Sequence, residues 1–204
     1  MMGITPTSSA SRRAAERRAH LMRELVEVLL FVGIVFLAVS VTQSFAPADT
    51  SMQPALQPGE HVLVNKAAYF MSGPGRGEIA LVANPQSPSD LLLRRIIGVP
   101  GDTVVVTATT VEVNGVALNE SVYTGIPGGQ PESPVIGKWT LQSGQYFVLA
   151  DNRFGIGGAG SDSRYFGPVT RRNIVGRAEM VYWPFKDFHW INTYSGVYSQ
   201  VPGR

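Results

Sequence analysis

The sequence predicts a mostly β protein: an N-terminal transmembrane helix, then a β-rich domain with a small inserted β region. Three observations point there. A run of 21 residues without a charge, 28–48, stands near the N-terminus. Behind it, short β-branched and apolar stretches alternate with turn residues, the texture of strands. Glycine (22) and proline (14) are plentiful among the 204 residues and only 16% are charged, which disfavours a coiled coil or a disordered acidic chain.

The first element is the apolar run. At 1.5 Å per residue, roughly 20 apolar residues span a hydrocarbon core of about 30 Å. Before it, residues 1–27 form a basic arm with Arg12, Arg13, Arg17, Arg18 and Arg23 against Glu16, Glu24 and Glu27. By the positive-inside rule that arm is cytoplasmic, and residues 49–204 form an extracytoplasmic domain. A cleaved secretory signal shares the basic-then-apolar pattern, but its apolar part runs to about 7–15 residues, so an uncleaved anchor in the lipid bilayer is expected. The three glutamates argue against an organellar transit peptide.

The arm also accounts for the whole net charge of +2, because the remainder carries 12 basic and 12 acidic residues. A nucleic-acid partner would need a basic patch within the folded part, and none is expected. There is no cysteine, which excludes disulfides, thiolate metal sites and cysteine nucleophiles. His20, His61 and His189 are too scattered to suggest a metal site.

Strands follow at 61–64, 79–82, 91–99, 103–107, 111–113, 146–149 and 176–183. Asn114-Gly115, between Val111-Glu112-Val113 and Val116-Ala117-Leu118, is a strong two-residue hairpin signal within an inserted β region at about 103–145. Residues 121–138 are rich in Gly, Pro and Ser and read as a surface excursion. Residues 66–71 read as a helical turn.

Three blocks stand out in this frame. Directly after the anchor comes Asp49-Thr50-Ser51-Met52-Gln53-Pro54-Ala55-Leu56. Next comes Leu91-Leu92-Leu93-Arg94-Arg95-Ile96-Ile97-Gly98-Val99-Pro100-Gly101-Asp102, a strand ending in a tight turn. Asp151-Asn152-Arg153 then precedes Ser161-Asp162-Ser163-Arg164. In this order behind one anchor, the blocks resemble the bacterial type I signal peptidase family, over about residues 28–185. The resemblance implies a membrane-bound serine endopeptidase that needs no cofactor and cuts signal peptides from preproteins after a small-x-small pattern. It puts the nucleophile at Ser51, whose backbone N–H would be one oxyanion donor. By the same mapping Ala48, Met52, Leu56 and Leu93 are pocket walls, with a plain core role equally open to Leu56 and Leu93. Asp162 and Arg164 match the acid and arginine that brace the family's active-site strands. An extended substrate could add to a strand edge while shallow pockets admit only alanine-sized side chains.

The chain departs from this family at the place that matters most. The family's general base is a lysine four residues before the glycine of the second block, and that position is Arg94. Lowering a lysine from ~10.4 to ~7 costs about 4.6 kcal/mol, whereas an arginine starts well above lysine and would cost roughly 7.5 kcal/mol or more. Arginine is effectively never deprotonated in a protein, so Arg94 is not expected to act as base. None of Lys66, Lys138 and Lys186 matches the base's place, and His61 lies ten residues beyond Ser51.

Two further positions differ. Many family members have a hydroxyl two residues before the nucleophile; here it is Asp49. An ionised carboxylate cannot donate to an oxyanion, so Asp49 is expected to form a structural fork with Arg94, or else to be solvated or to orient Thr50. The serine that often contacts the lysine is replaced by Gly160, with Ser161 or Ser163 as nearby alternatives. Two readings therefore stand: an active peptidase, or an inactive homologue that binds preproteins or supports an active paralogue. Among the aromatics of 182–198, Phe188 and Trp190 are candidates for the bilayer interface, while Tyr182 and Trp183 read better as core.

Overall fold

The computed structural model describes residues 9–125, 136–153 and 162–203. It divides into two compact units, residues 1–41 and 42–204. In the first, helix α1 (Ser9–Val41) extends through part of the basic arm and is long and apolar enough, over Glu16–Val41, to cross a membrane. Leu29, Phe31, Ile34 and Phe36 are exposed along it, as a bilayer-facing helix requires. The helix ends earlier than the sequence suggests. Thr42-Gln43-Ser44-Phe45, expected within the apolar span, is instead strand β1 (Thr42–Phe45), where polar and β-branched residues favour a sheet edge.

The second unit is built on one antiparallel sheet, with strand order β1-β2-β11-β3-β4-β9-β10 and β12 paired to β11. Its members after β1 are β2 (His61–Asn65), β3 (Ile79–Asn84), β4 (Ser87–Gly98), β9 (Gln145–Leu149), β10 (Val169–Thr170), β11 (Ile174–Trp183) and β12 (His189–Trp190). Alternation along β3 shows why both faces are covered. Ile79 and Leu81 join a core with Met52, Leu56, Val62, Val64 and Leu93. Ala80 and Val82 point the other way, into a core with Tyr69, Ile96, Val148 and Ile174.

A smaller sheet, order β7-β6-β5-β8, is formed by β5 (Thr103–Val106), β6 (Val111–Val113), β7 (Val116–Ala117) and β8 (Gly137–Thr140). Its valines pack with Ile97, Leu141, Phe147 and Leu149 in a third core. The Asn114-Gly115 hairpin forms as expected, with φ of 52° and 80° at its two central residues and Val113 paired to Val116. The 121–138 excursion is more ordered at its ends than its composition suggests. It begins with the one-turn helix α2 (Ser121–Thr124), which buries Tyr123, and it ends inside β8; residues 126–135 lie outside the described residues. Residues 66–71 form hydrogen-bonded turns rather than a helix.

Candidate active site

Two chain segments converge on Ser51. Residues 46–49 run on from β1 into the turn that carries the serine, and β4 passes beside them. β4 pairs with β3 from Ser87 to Arg95, but β9 joins its other edge only at Arg95, Ile96 and Gly98. That leaves the stretch before Arg95 with one edge outside the β4–β9 ladder. A cavity of about 150 Å³ lies here, lined by residues 45–49, Ser51 and residues 91–94. It is smaller than the roughly 300–1,000 Å³ of pockets that hold drug-sized ligands, and suits a short side chain on an extended backbone.

Ser51 itself is only 4% exposed. Asp49 Oδ1 accepts the Ser51 backbone N–H at 3.0 Å and the Ser51 hydroxyl at 2.6 Å. This is the local turn that a short acidic side chain makes with the amide two residues on. From β4, Arg94 Nη1 donates to Ser51 Oγ at 2.9 Å and to the Leu93 carbonyl at 2.5 Å. The hydroxyl thus donates to a carboxylate and accepts from a guanidinium.

Two expectations change. Asp49 and Arg94 form no direct fork among the described residues; they meet through the Ser51 hydroxyl, because the turn holds the Asp49 carboxylate against its own backbone. The Ser51 N–H, expected as an oxyanion donor, is directed at Asp49 instead. Burial pulls the proton affinity of Arg94 below the ordinary arginine value, with Asp162, Asp49 and Asp151 opposing that and Arg164 adding to it. A guanidinium starts so high that it remains a cation near neutrality.

The neighbouring arginines are tied down differently. Arg95 forks Asp151 at 2.8 and 2.6 Å and donates to the Gly77 carbonyl at 2.6 Å, with both charged side chains fully buried. Gly77 has φ of +86°, and a Cβ there would come within 2.1 Å of the Thr193 carbonyl, so only glycine fits. Arg153 forks Glu120 at 2.8 and 2.7 Å. Arg164 donates to Asp162 at 2.8 Å, while Asp162 accepts the Arg164 and Ala150 amides. The Asn152 N–H donates to the Ser51 carbonyl at 2.9 Å and its side-chain amide to the Thr50 carbonyl at 3.1 Å, which fastens the serine turn to the end of β9.

Of the expected pocket walls, Ala48 and Leu93 line the cavity. Met52 and Leu56, each 1% exposed, pack in the core beneath it, as does Leu93. Asp162 and Arg164, expected to brace the site, are a buried ion pair. Gly160 and Ser161 lie outside the described residues, and the Ser163 hydroxyl accepts the Val148 N–H. His61 stands near the Ser44 hydroxyl and against the Tyr182 ring, and Lys66 is exposed; neither is a hydrogen-bond partner of Ser51. Sequence reasoning missed Glu120 as the partner of Arg153 and Asp151 as the partner of Arg95, since 33 and 56 positions separate them.

The turn after β11 presents Trp183, Phe185, Phe188 and Trp190 to solvent, each about half exposed or more. Trp183, expected in the core, belongs to this exposed group because it sits at the strand's outer end, packed edge-on against Phe185. Tyr182 is half-buried, and its hydroxyl meets that of Ser44 at 2.7 Å.

The chain is similar to known proteins. Residues 19–183 match the family described as signal peptidase, peptidase S26. Signal peptidase I of Leptolyngbya laminosa is 34% identical over 175 residues, covering 78% of this chain and 80% of that protein. Signal peptidase IB of Staphylococcus aureus strain MRSA252 is 31% identical over 191 residues, covering 82% of this chain and 94% of that protein. A crystal structure of a signal peptidase I from Enterococcus faecalis V583 aligns with a TM-score of 0.42 at 28% identity, over 52% of this chain and 97% of that chain.

Proposed function

The chain belongs to the signal peptidase family, peptidase S26, and on that premise we propose that it is an active, membrane-anchored serine endopeptidase that removes signal peptides, with Ser51 as its nucleophile. The observation that carries this reading is the state of the Ser51 hydroxyl, which is buried, polarised from both sides and open to a small cavity between two extended segments. A hydroxyl in a mere turn would have no need of a buried cation from another strand.

A preprotein would enter as an extended segment beside residues 91–94, with backbone bonds giving affinity and the small cavity selecting alanine-sized side chains. Ala48 and Leu93 would form the wall, while Met52 and Leu56 support it from below. The anchor would keep the N-terminus cytoplasmic and residues 42–204 on the other side. On this reading cleavage would occur at the outer surface of the membrane that holds the anchor. The exposed Trp183, Phe185, Phe188 and Trp190 would seat in the membrane interface.

The second reading, a homologue that binds preproteins without cutting them, draws on Arg94 at the lysine position and on the Ser51 N–H engaged by Asp49. Purified full-length protein incubated with a preprotein bearing an Ala-x-Ala site separates the two. Cleavage after the second alanine that disappears in Ser51→Ala establishes the peptidase; an uncut preprotein that still associates with the protein establishes the binding homologue.

A further inference from the structure

We propose that Asp49 and Arg94 have exchanged the two chemical jobs expected at their positions: Asp49 is the general base for Ser51, and Arg94 stabilises the oxyanion. This deepens the peptidase reading above and rests on it. The family pattern puts a proton acceptor at residue 94 and a hydrogen-bond donor at residue 49. Here residue 94 carries a guanidinium that donates and residue 49 a carboxylate that accepts, and both reach the same hydroxyl, at 2.9 and 2.6 Å. The shorter of the two bonds carries the serine proton toward the carboxylate, which is the geometry a general base requires.

Oxyanion stabilisation follows the same logic. The Ser51 N–H, the local donor, is held by Asp49. Arg94 Nη1 already lies within hydrogen-bond distance of the oxygen that becomes part of the tetrahedral centre, so a short shift lets it face the new oxyanion bonded to the same carbon.

Charge is conserved throughout. As Ser51 Oγ bonds to the substrate's carbonyl carbon, its proton passes to Asp49, and the carbonyl electron pair moves onto oxygen facing Arg94. The site therefore holds one negative and one positive charge before and after the transfer, and no new charge separation is created in a buried place. When the intermediate collapses, the C–N bond breaks and the leaving amine takes the proton from Asp49, leaving the acyl group on Ser51. Water then attacks that ester and gives a proton to Asp49. The ester bond breaks, and Ser51 recovers its proton from the Asp49 carboxyl. A turn-making aspartate explains the bond to the Ser51 N–H, but it does not require a buried guanidinium on the other side of the hydroxyl.

The test uses the full-length protein with an Ala-x-Ala preprotein, and compares wild type with Ser51→Ala, Asp49→Asn and the pair Asp49→Ser with Arg94→Lys. Asparagine keeps the size and the carbonyl oxygen that accepts the Ser51 N–H but cannot take a proton. A structural Asp49 would therefore leave Asp49→Asn close to wild type. The exchange predicts at least a 100-fold loss of cleavage in Asp49→Asn, given that a general base contributes about 10²–10⁴-fold, with thermal denaturation little changed. It also predicts that the double variant, which restores a hydroxyl and an amine at the two positions, regains activity to within about tenfold of wild type. Wild-type cleavage that needs Ser51 yet survives within threefold in Asp49→Asn would overturn the exchange and leave the peptidase reading standing. Cleavage by the double variant but not by wild type would overturn both the exchange and wild-type competence.

Discussion

Arg94 and Arg95 are neighbours on β4, almost equally buried at 1% and 0% exposure, and they leave the strand on opposite faces. Arg95 closes a two-bond fork with Asp151, and its remaining nitrogen donates to the Gly77 carbonyl. Arg94 reaches a hydroxyl. The difference separates two uses of the same side chain. A cation forked to its own carboxylate is a structural part whose loss is measured as stability, whereas one resting on a hydroxyl proposed to be the nucleophile should be measured as rate.

The sharpest break of that comparison is Asp151→Leu, which leaves Arg95 buried without its carboxylate. A buried pair broken on one side costs about 3–5 kcal/mol, so the denaturation midpoint of the full-length protein should fall steeply and activity should be lost with the fold. Asp49→Asn should give the opposite pattern, with stability within about 1 kcal/mol of wild type and cleavage nearly abolished. If the two variants behave alike, the distinction between the arginines is wrong.

A third arginine, Arg76, sharpens the scale. It forks Asp102 at 2.8 and 2.6 Å while remaining partly accessible. Burial pushes the Asp102 carboxyl upward, but the Arg76 fork, the Val99 N–H and the Asn114 amide outweigh it and hold the carboxyl below its usual range. A depressed value contributes stability that is fully present above the unfolded-state value of about 3.9 and is lost as pH falls through the lower folded value. Arg76→Met should therefore move the acid-unfolding midpoint to higher pH and leave stability less dependent on pH below about 4, as a pH titration of circular dichroism would record. The smallest effect belongs to Arg177, about a third exposed between Glu78 and Glu179. Arg177→Met should change stability by no more than about 1 kcal/mol, with an unchanged rate of preprotein cleavage.

Much of this architecture was readable from the chain. The N-terminal apolar helix, the alternating burial of β2 and β5, and the Asn114-Gly115 turn rest on local patterns, and local patterns survive folding. The boundary at Val41 was misplaced because an apolar count does not register that Thr42 to Phe45 can complete a sheet edge. The forks were illegible for a different reason. Nothing near Arg153 points to Glu120, and which carboxylate reaches which guanidinium is decided only when strands distant in sequence pack together. The Asp49 turn, by contrast, left a signal that was passed over. An aspartate two residues before an amide commonly accepts its hydrogen, and Asp49-Thr50-Ser51 has that spacing.

The staple between Asn152 and the serine turn has one more consequence. From Ser51 the path runs to Asn152, along the backbone to Asp151, across the fork to Arg95, one residue back to Arg94 and onto Ser51 again. Ser51 is thus surveyed from two strands at once, and the two sightlines close on themselves. A one-residue slip of either strand would open this loop at the fork and at the serine together, so the turn that holds Ser51 and the pairing of β4 stand or fall as one.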